Sequence, residues 1–530
     1  MTLLPTPRAP KIVRSAALRA RENCDALLVI VPPDAGPDTF SPLPEKQRWQ
    51  ELNVRSSPRS GAVRTTTLAN QRQTLAVIGY MRAEASNFER LSLAAKMLKE
   101  AAARTPESLG LAVHGQSKAA TASLEALLTA SLAQAFSLPS YRSGKRDEPH
   151  RLRIITVLDW NDLTSSRDSP LDVRFLEAGA EANNLARWLT VLPPNVLDAR
   201  GYRRAIADLA GQHGLSFKWL DERALKRLGA GAFLAVSQGN TERTAGIAHL
   251  TYRPTRPNAR SSSRRGGTRL SSSPRTAAAG APDVALVGKG ILFDTGGINL
   301  KPHRSMLDMH MDMAGSAVAL STLVALAHLR APFAVDAWLA ITPNEIGPNA
   351  FRPQEIVTAS NGVTIQVIHT DAEGRMVLAD TLALASRTKP RFMIDFATLT
   401  GACVYALTDR MSGVFANQES LVPTLLAAGR SSGERVWNFP LYPDYDSDLE
   451  SKIADVVQCS VDGKGDHILA TRFLSRFVPD TIPWAHMDLS SAWRAGGLGP
   501  INTDVTGFGV RYTLDLLLRQ KLLDQLAAAK

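Results

Sequence analysis

The stretch that decides the fold is residues 284–293, VALVGKGILF, an apolar run interrupted only by two glycines and one lysine. Such a run is typical of a buried strand whose two faces are both covered by helices. A helical pattern and further strand-like runs follow it, at residues 314–329, 334–342, 364–370, 392–399 and 484–490. Strands that alternate with helices predict an α/β protein with a mainly parallel central sheet flanked by helices.

The first third of the chain repeats this alternation on a smaller scale. Strand-like segments and amphipathic helical patterns are found at residues 25–31, 73–80, 85–103, 121–136 and 151–159. Residues 175–192 then predict one long helix that ends before a pair of prolines. We therefore predict a smaller N-terminal α/β domain over residues 1–172, joined by this linker helix to a larger C-terminal domain over residues 173–530.

The chain has 530 residues and only three cysteines, Cys24, Cys403 and Cys459, which lie far apart. None of them forms a CxxC pair, which argues against a disulfide framework and against a cysteine-based zinc site. We therefore expect reduced thiols and a cytoplasmic location. No apolar run approaches the ~20 residues that a membrane-spanning helix needs, so no membrane partner is expected.

The net charge of +11 is concentrated in two segments. Residues 254–282 contain six arginines and no acid, and their richness in Ser, Gly and Pro predicts a disordered surface insert. Residues 1–21 are also basic and acid-free, which fits either a targeting peptide or a solvated tail before the first strand. Because neither segment carries aromatic side chains among its charges, nucleic-acid binding is expected only as a secondary role.

Charged side chains follow the strand-like runs of the second domain, at the strand ends where α/β sheets collect their ligands. Four of them are acids that would repel one another without bound cations: Asp294, Asp312, Asp371 and Glu373. Two divalent cations would offset the four charges, and on an extended segment Asp371 and Glu373 would point to the same side. Oxygen ligands suit Mg²⁺, Mn²⁺ or Zn²⁺ without choosing among them.

Two lysines lie close to these acids in sequence. Lys289 lies between two glycines, and a nearby dication would let it bind as a neutral amine. Lys301 would remain protonated and stabilise a developing oxyanion. Taken singly, each acid is more often a helix cap or surface residue and each lysine is more often solvated. The prediction depends on their convergence with Arg375 at successive strand ends.

Four longer motifs resemble the leucyl aminopeptidase family of two-metal cytosolic exopeptidases. They are VGKGILFDTGGINLKP at 287–302, DMHMDMAGSA at 308–317, HTDAEGRMVLAD at 369–380 and ATLTGACVYAL at 397–407. The resemblance extends from about Leu176 to the C-terminus, and it implies that residues 173–530 form a di-metal peptidase domain.

The resemblance also implies a role for each candidate residue. Five residues would bind the two metal ions: Lys289, Asp294, Asp312, Asp371 and Glu373. Two residues would be catalytic, Lys301 and Arg375, and the arginine would help to hold a bicarbonate ion that acts as general base. Four residues would line the substrate cleft: Met309, Thr398, Leu399 and Gly401.

The implied function is that of a metal-dependent aminopeptidase, with two Mn²⁺ or Zn²⁺ ions, that releases leucine-like hydrophobic residues from the N-termini of short peptides. The substrate's α-amine would dock on one ion, and a metal-activated water would attack the scissile carbonyl. Family members form hexamers, so a homo-hexamer is expected. Two alternatives stay open: a nucleic-acid-binding accessory factor, and a structural hexamer whose peptidase activity is secondary or lost.

Two departures from the family pattern bear on the site. His369 replaces the asparagine that relatives usually have, and we expect it to shape the loop before the acids rather than to bind metal. Residues 458–470 replace a glycine-rich stretch that borders the cleft or a subunit contact in relatives. Specificity and assembly are therefore the properties that this chain is expected to have changed.

Overall fold

The computed structural model describes residues 3–6, 9–15, 23–54, 58–115, 117–143, 152–158, 171–254 and 280–528. These residues contain two large sheets, one of six strands and one of eight, and a long helix lies between them in sequence. The predicted α/β fold class is confirmed, with its smaller N-terminal part, its linker helix and its larger, mainly parallel C-terminal sheet. Most of the predicted disordered insert, residues 255–279, lies outside the described residues.

The N-terminal sheet is built from six short strands: β1 (Lys11–Ser15), β2 (Ala26–Val31), β3 (Val63–Thr67), β4 (Leu75–Tyr80), β5 (Ser108–Val113) and β6 (Ile154–Leu158). Its helices are α1 (Lys46–Val54), α2 (Asn87–Ala102) and α3 (Lys118–Gln134). The strand order is β1-β6-β5-β2-β4-β3, and all neighbours are parallel except β3 and β4. Strands β2 and β4 are buried along their whole length, as their unbroken apolar sequences predict.

Strand β1 lies in the basic N-terminal stretch, for which a targeting peptide or a solvated tail was expected. It pairs in parallel with β6 at the edge of the sheet. Its exposed residues are Lys11 and Arg14, while Ile12 packs against the core. The expectation of a solvated tail is therefore wrong for residues 11–15, because an edge strand needs an apolar side on one face only.

The second large sheet has eight strands: β7 (Ser216–Asp221), β8 (Gly246–Tyr252), β9 (Val284–Asp294), β10 (Val335–Asn344), β13 (Phe392–Ala397), β14 (Ser412–Ala416), β15 (Val436–Asn438) and β17 (Trp484–Asp488). A smaller sheet contains the remaining strands, β11 (Ile356–Thr358), β12 (Thr364–Gln366) and β16 (Val456–Val457). The order of the large sheet is β15-β14-β17-β13-β9-β10-β8-β7. Its four central strands, from β17 to β10, run parallel.

The helices from the linker onward are α4 (Val173–Val191), α5 (Ala199–His213), α6 (Glu222–Arg227), α7 (Gly231–Ser237), α8 (His303–Met306), α9 (Ala314–His328), α10 (Glu373–Ser386), α11 (Gly401–Leu407), α12 (Val422–Ser432), α13 (Asp466–Ser475), α14 (Val510–Leu514) and α15 (Leu522–Ala528). Short 3₁₀ turns occur at Pro37–Phe40, Met309–Met311, Thr408–Arg410, Glu419–Leu421 and Pro443–Leu449, and a π-helical turn at Asp515–Arg519.

Strand β9 shows why the deciding stretch is apolar on both sides. Val284 and Leu286 belong to the core on the α9 side of the sheet. Ala285 and Val287 belong to the core on the α10 side. The segment His303–His328 is apolar and long enough by composition to cross a membrane, but 83% of its most apolar part is buried inside the protein. Its helix α9 is thus a core helix of the sheet.

Candidate metal centre and active-site cleft

An open cleft of about 820 Å³ lies at the carboxyl ends of the central parallel strands. Asp294 is the last residue of β9, Asn344 is the last of β10 and Asp488 is the last of β17. Thr398 follows directly after β13. Because parallel strands end at one edge of the sheet, residues that are far apart in sequence meet there.

Three carboxylates form the centre of the site. Asp294, Asp371 and Glu373 each offer one oxygen, and these oxygens lie within 4.8 Å of one another. Oε2 of Glu373 is buried, and no group in the described part of the chain donates a hydrogen bond to it. A buried carboxylate oxygen without a donor is costly unless a cation binds it. The donor set therefore fits a divalent metal ion.

The acids of the HTDAEGR motif reach the site in a way that the sequence did not predict. Strand β12 ends at Gln366, and the chain then turns, with the Ala372 N–H donating to the His369 carbonyl. Glu373 is the first residue of α10. The prediction of an extended strand that presents Asp371 and Glu373 on one side is wrong; a turn and a helix start bring the two carboxylates together instead.

Lys289 forms buried ion pairs with Asp312 and Glu373. Its Nζ is 2.8 Å from Asp312 and 3.1 Å from Glu373, and it donates to the Thr398 carbonyl at 3.0 Å. Burial alone would lower the pKa of Lys289, but the surrounding carboxylates, chiefly that of Asp312, raise it well above its usual value. In the metal-free protein Lys289 is therefore an ammonium group, and it must release a proton before its nitrogen can bind a metal ion.

Lys301 lies between two of the central acids. Its Nζ is 2.9 Å from Asp294 and is also in contact with Asp371. Burial would lower the pKa of Lys301, yet the charges of Asp294 and Glu373 raise it above its usual value. The side chain lines the cleft, so it presents a positive charge there.

The acids outnumber the lysines, and this excess shifts the pKa of the acids as well. Burial raises the pKa of Asp312 and of Asp371, and neighbouring carboxylates raise both further. The ion pairs with Lys289 and Lys301 oppose the shift without cancelling it. The metal-free site consequently retains protons that a divalent cation would displace.

Asp294 is oriented by donors that the sequence interpretation missed. Nδ2 of Asn344 donates to Oδ1 of Asp294 at 2.8 Å and to the Thr370 carbonyl at 3.2 Å. The Gly296 N–H donates to the same Asp294 oxygen at 2.9 Å. Oδ2 of Asp294 is thereby directed towards Lys301. The only sequence signal for Asn344 was a polar residue shortly after an apolar run.

The glycines of the DTGG motif are required by backbone geometry. Gly296 and Gly297 have φ values of +85° and +66°, which other residues rarely adopt. A Cβ on Gly296 would also lie 2.5 Å from the Asn299 carbonyl oxygen. The Thr370 hydroxyl donates to the Gly296 carbonyl at 2.6 Å and so ties this turn to the HTDAEGR corner. This hydrogen bond therefore holds the DTGG turn against the corner that carries Asp371 and Glu373.

Asp488 is a second residue that the sequence interpretation missed. Its Oδ1 accepts the Leu399 N–H at 3.1 Å, and its Oδ2 accepts the Thr400 hydroxyl at 2.6 Å. The carboxylate is buried and thus fixes the loop that follows β13. Its signal in the sequence was a single acid at the end of the apolar run in β17.

The predicted substrate residues Met309, Thr398, Leu399 and Gly401 all line the cleft, as do the predicted metal ligands and Lys301. Tyr405 and Trp493, which were not predicted, line it too and are 91% and 41% exposed. Arg375 is the exception among the predicted residues, because it is buried behind the first turn of α10 and is not part of the cleft wall.

Arg375 contacts the segment in which this chain departs from the family pattern. Its Nη2 donates to Oδ2 of Asp466 at 2.7 Å, and its Nη1 donates to the Gln458 carbonyl at 3.4 Å. The ion pair with Asp466 raises the pKa of Arg375 against the effect of burial, so the guanidinium is charged. Neither Gln458 nor Asp466 was predicted as a site residue.

His369 is exposed and supports the turn before the acids. Its Nδ1 accepts the Asp371 N–H at 3.2 Å. Burial and the charge of Lys301 lower the pKa of His369, which favours the neutral ring that this hydrogen bond needs. The contact agrees with the expected role in shaping the loop.

Comparison with known proteins shows which family this chain is similar to. The model for the catalytic domain of the cytosol aminopeptidase family matches residues 184–514. The probable cytosol aminopeptidase of Synechococcus sp. (strain CC9605) is 36% identical over 462 residues, which cover 86% of this chain and 88% of that protein. The probable cytosol aminopeptidase of Syntrophotalea carbinolica is 42% identical over 337 residues, which cover 63% of this chain and 62% of that protein.

A solved structure extends the similarity to nearly the whole chain. The bottromycin maturation enzyme BotP in complex with Mn matches with a TM-score of 0.77 and 29% identity, covering 94% of this chain and 99% of BotP. The resemblance inferred from the four motifs is confirmed: the chain belongs to the cytosol aminopeptidase family, whose members are metal-dependent peptidases and therefore hydrolases.

Proposed function

We propose that the protein is a two-metal aminopeptidase that removes leucine-like residues from the N-termini of short peptides. The observation that carries the proposal is the convergence of four carboxylates and two lysines, most of them buried, on the floor of an open cleft. The acids exceed the lysines in number, so divalent cations would take the place of the protons that Asp312 and Asp371 retain without metal.

Five residues would hold the ions: Lys289, Asp294, Asp312, Asp371 and Glu373. Divalent cations bound there would polarise the scissile carbonyl and lower the pKa of a bound water. The Glu373 oxygen that has no donor among the described residues supports this assignment, and so does the 4.8 Å grouping of three acids. Manganese is the ion that we favour, because the similar enzyme BotP was solved in complex with Mn; zinc remains the alternative.

Lys301 and Arg375 would serve the reaction in different ways. Lys301 lines the cleft and keeps its proton, so it would donate to the oxyanion that develops on the substrate carbonyl. Arg375 does not reach the cleft wall, so it would act by positioning the first turn of α10, which carries Glu373. The substrate's α-amine would bind one of the ions as a neutral amine, as the sequence resemblance implies.

The cleft lining supports a preference for apolar side chains. Met309, Leu399, Val404, Tyr405 and Trp493 contribute apolar surface to it. Met309 would contact the side chain of the first residue, as the sequence resemblance implies. Apolar pocket walls with a few convergent charged groups are the usual composition of a small-ligand site.

We also propose a cytoplasmic homo-hexamer. The relatives are named cytosol aminopeptidases, and the three cysteines are buried and form no disulfide with one another, which suits a reducing compartment. Trp437, Ile453 and Val461 are 57%, 63% and 90% exposed, so each is a candidate for burial against another subunit. Light scattering of the purified protein would give its mass. The nucleic-acid role depends on residues 254–282, most of which lie outside the described residues, and it stays a prediction.

The test of function compares leucine p-nitroanilide with its N-acetylated form, using protein loaded with Mn²⁺ or Zn²⁺. An aminopeptidase should hydrolyse the free amine and leave the acetylated compound intact. Lysine and glutamate anilides should be poorer substrates than the leucine compound if the cleft prefers apolar residues. Equal hydrolysis of the free and the acetylated compounds would exclude an aminopeptidase, and so would no hydrolysis of either.

A further inference from the structure

Arg375 is a buried cation whose charge is balanced by a side chain of the protein. The residue is 2% exposed, and its Nη2 lies 2.7 Å from the Asp466 carboxylate. Its Nη1 donates to the Gln458 carbonyl. Its Nε is buried, and no described residue accepts a hydrogen bond from it. A buried guanidinium needs an anion beside it, and Asp466 supplies that anion.

The segment that carries Asp466 is attached directly to the HTDAEGR corner. The side chain of Gln458 is fully buried, and its Oε1 accepts the N–H groups of Ile368 and His369, both at 3.1 Å. Its Nε2 donates to the Ala372 carbonyl at 2.9 Å. The segment therefore holds the corner from which Asp371 and Glu373 project.

Local geometry brings Asp466 to the guanidinium. It is the first residue of α13, and Gly463 and Gly465 before it have φ values of +67° and +62°. Left-handed glycines allow the chain to turn sharply into the helix. The first turn of a helix also favours an ionised acid, because the unpaired N–H groups carry partial positive charge.

These contacts do not fit the bicarbonate ion that the sequence resemblance implies at Arg375. A bicarbonate placed there would stand next to the Asp466 carboxylate, and two anions at one guanidinium repel each other. We propose that Asp466 is the resident anion of Arg375, so that this chain needs no bicarbonate at that position. Asp466 is thus a positioning residue, which acts through Arg375 on the first turn of α10.

The inference rests on the proposed aminopeptidase function, but it is first tested by anion binding, which needs no activity. Calorimetry of metal-stripped protein with sodium bicarbonate, and separately with sodium formate, should show no binding to the wild-type chain beyond a sodium chloride control. Asp466→Ala removes the resident anion and should create a saturable site for both ions. Asp462→Ala, on the same segment and with an exposed ion pair to Lys464, should behave like the wild type.

The second arm measures hydrolysis of leucine p-nitroanilide by the metal-loaded enzyme. Wild-type kcat should change less than about twofold on adding bicarbonate, and Asp466→Ala should lose about tenfold or more in kcat with little change in KM. Added bicarbonate or formate should restore most of that loss. Asp466→Glu, which keeps a carboxylate, should stay active without either anion.

A structural role alone predicts lost activity without anion rescue, and that result would overturn the proposal. Saturable bicarbonate binding to the wild-type chain would overturn it as well. If Asp466→Ala does not fold, Asp466→Asn keeps the size of the side chain and removes its charge. Wild-type kcat in Asp466→Asn would overturn the proposal, because it would show that the charge is not needed. Reduced kcat is the expected result, and bicarbonate should not rescue this variant because the amide still fills the position that the ion would take. If the wild-type protein is inactive and Asp466→Ala still gains an anion site, the proposed function is refuted but the inference about Asp466 is not.

Discussion

Gly374 lies directly against Lys289, so closely that a Cβ on the glycine would stand 2.5 Å from Cε and 2.7 Å from Nζ of the lysine. Both residues are buried, and the lysine is held on its other side by Asp312 and Thr398. The absence of a side chain at position 374 is therefore what allows Lys289 to reach Glu373. Glycine is therefore required at position 374 by the space that Lys289 occupies, and not by its backbone conformation.

Gly374→Ala should weaken metal binding and activity although alanine is the better helix former. The added methyl group would displace the Lys289 amine, and overpacking of a buried site costs about 1–3 kcal/mol. The measurement is Mn²⁺ affinity by calorimetry together with the midpoint of thermal unfolding.

Gly211→Ala is the matched control for this change. Gly211 lies inside helix α5, and nothing lies within 4 Å of the position that its Cβ would take. The substitution should raise stability by about 0.5–1 kcal/mol and leave metal affinity unchanged. Equal metal affinity in both variants would contradict the role assigned to Gly374.

Glu373→Gln should lower the metal content of the purified protein. The amide keeps the size of the side chain but removes the charge that lies against Lys289 and between the other acids. We expect a loss of affinity greater than the about 10–100-fold that contacts beyond the ligands usually cost. Elemental analysis after dialysis measures it, with the exposed Glu242→Gln as the control. Full metal content in Glu373→Gln would remove Glu373 from the ligand set.

Metal affinity should rise with pH. Burial and neighbouring carboxylates raise the pKa of Asp312 and Asp371, so both bind protons in the metal-free protein at a pH where ordinary aspartates are ionised. An acid with a raised pKa contributes stability below its unfolded-state pKa and loses it as the pH rises through the folded-state value. Metal-free protein should therefore lose stability as the pH rises through these raised values, and bound metal should restore it.

Calorimetric titration with Mn²⁺ at several values between about pH 5 and about pH 8 tests this linkage. The affinity should increase across the series, and the heat should depend on the ionisation enthalpy of the buffer, because protons are released. A flat affinity profile with no buffer dependence would mean that these acids carry no protons before metal binds.

Asp488→Ala should impair substrate binding without removing metal. Its carboxylate accepts hydrogen bonds from the Leu399 N–H and the Thr400 hydroxyl, and an unpaired buried donor costs about 1–3 kcal/mol. We expect kcat/KM for leucine p-nitroanilide to fall by about tenfold at unchanged metal content. Asp515→Ala removes an equally buried acid outside the cleft and should reduce stability only. A similar loss of kcat/KM in both variants would point to general destabilisation.

The sequence predicted the fold class because strands buried on both faces must be mostly apolar, and β9 and β10 show that pattern plainly. It also indicated which acids and lysines converge, since residues at the ends of parallel strands share one edge. It failed at Asp371 because VTIQVI alternates like a strand, although only Thr364–Gln366 pair, and they pair in the small sheet.

The contacts that Arg375 and Gln458 make with distant residues had no sequence signal. Arg375 and Asp466 are 91 positions apart, and nothing in the local pattern around either residue indicates the other. Gln458 is similar, because a buried glutamine that joins a loop to a turn looks in sequence like any polar residue after a short apolar run. Such contacts appear only once the chain is folded.

We propose that metal ions held by this cluster of acids and lysines make the chain an aminopeptidase. The most direct measurement is the rate of leucine amide hydrolysis by metal-stripped protein before and after addition of Mn²⁺ or Zn²⁺, with Asp371→Ala treated identically. We predict no rate without metal, a saturable rise on reconstitution of the wild-type chain, and no rise in the variant. A rate that is independent of metal, or one that survives in Asp371→Ala, would contradict it.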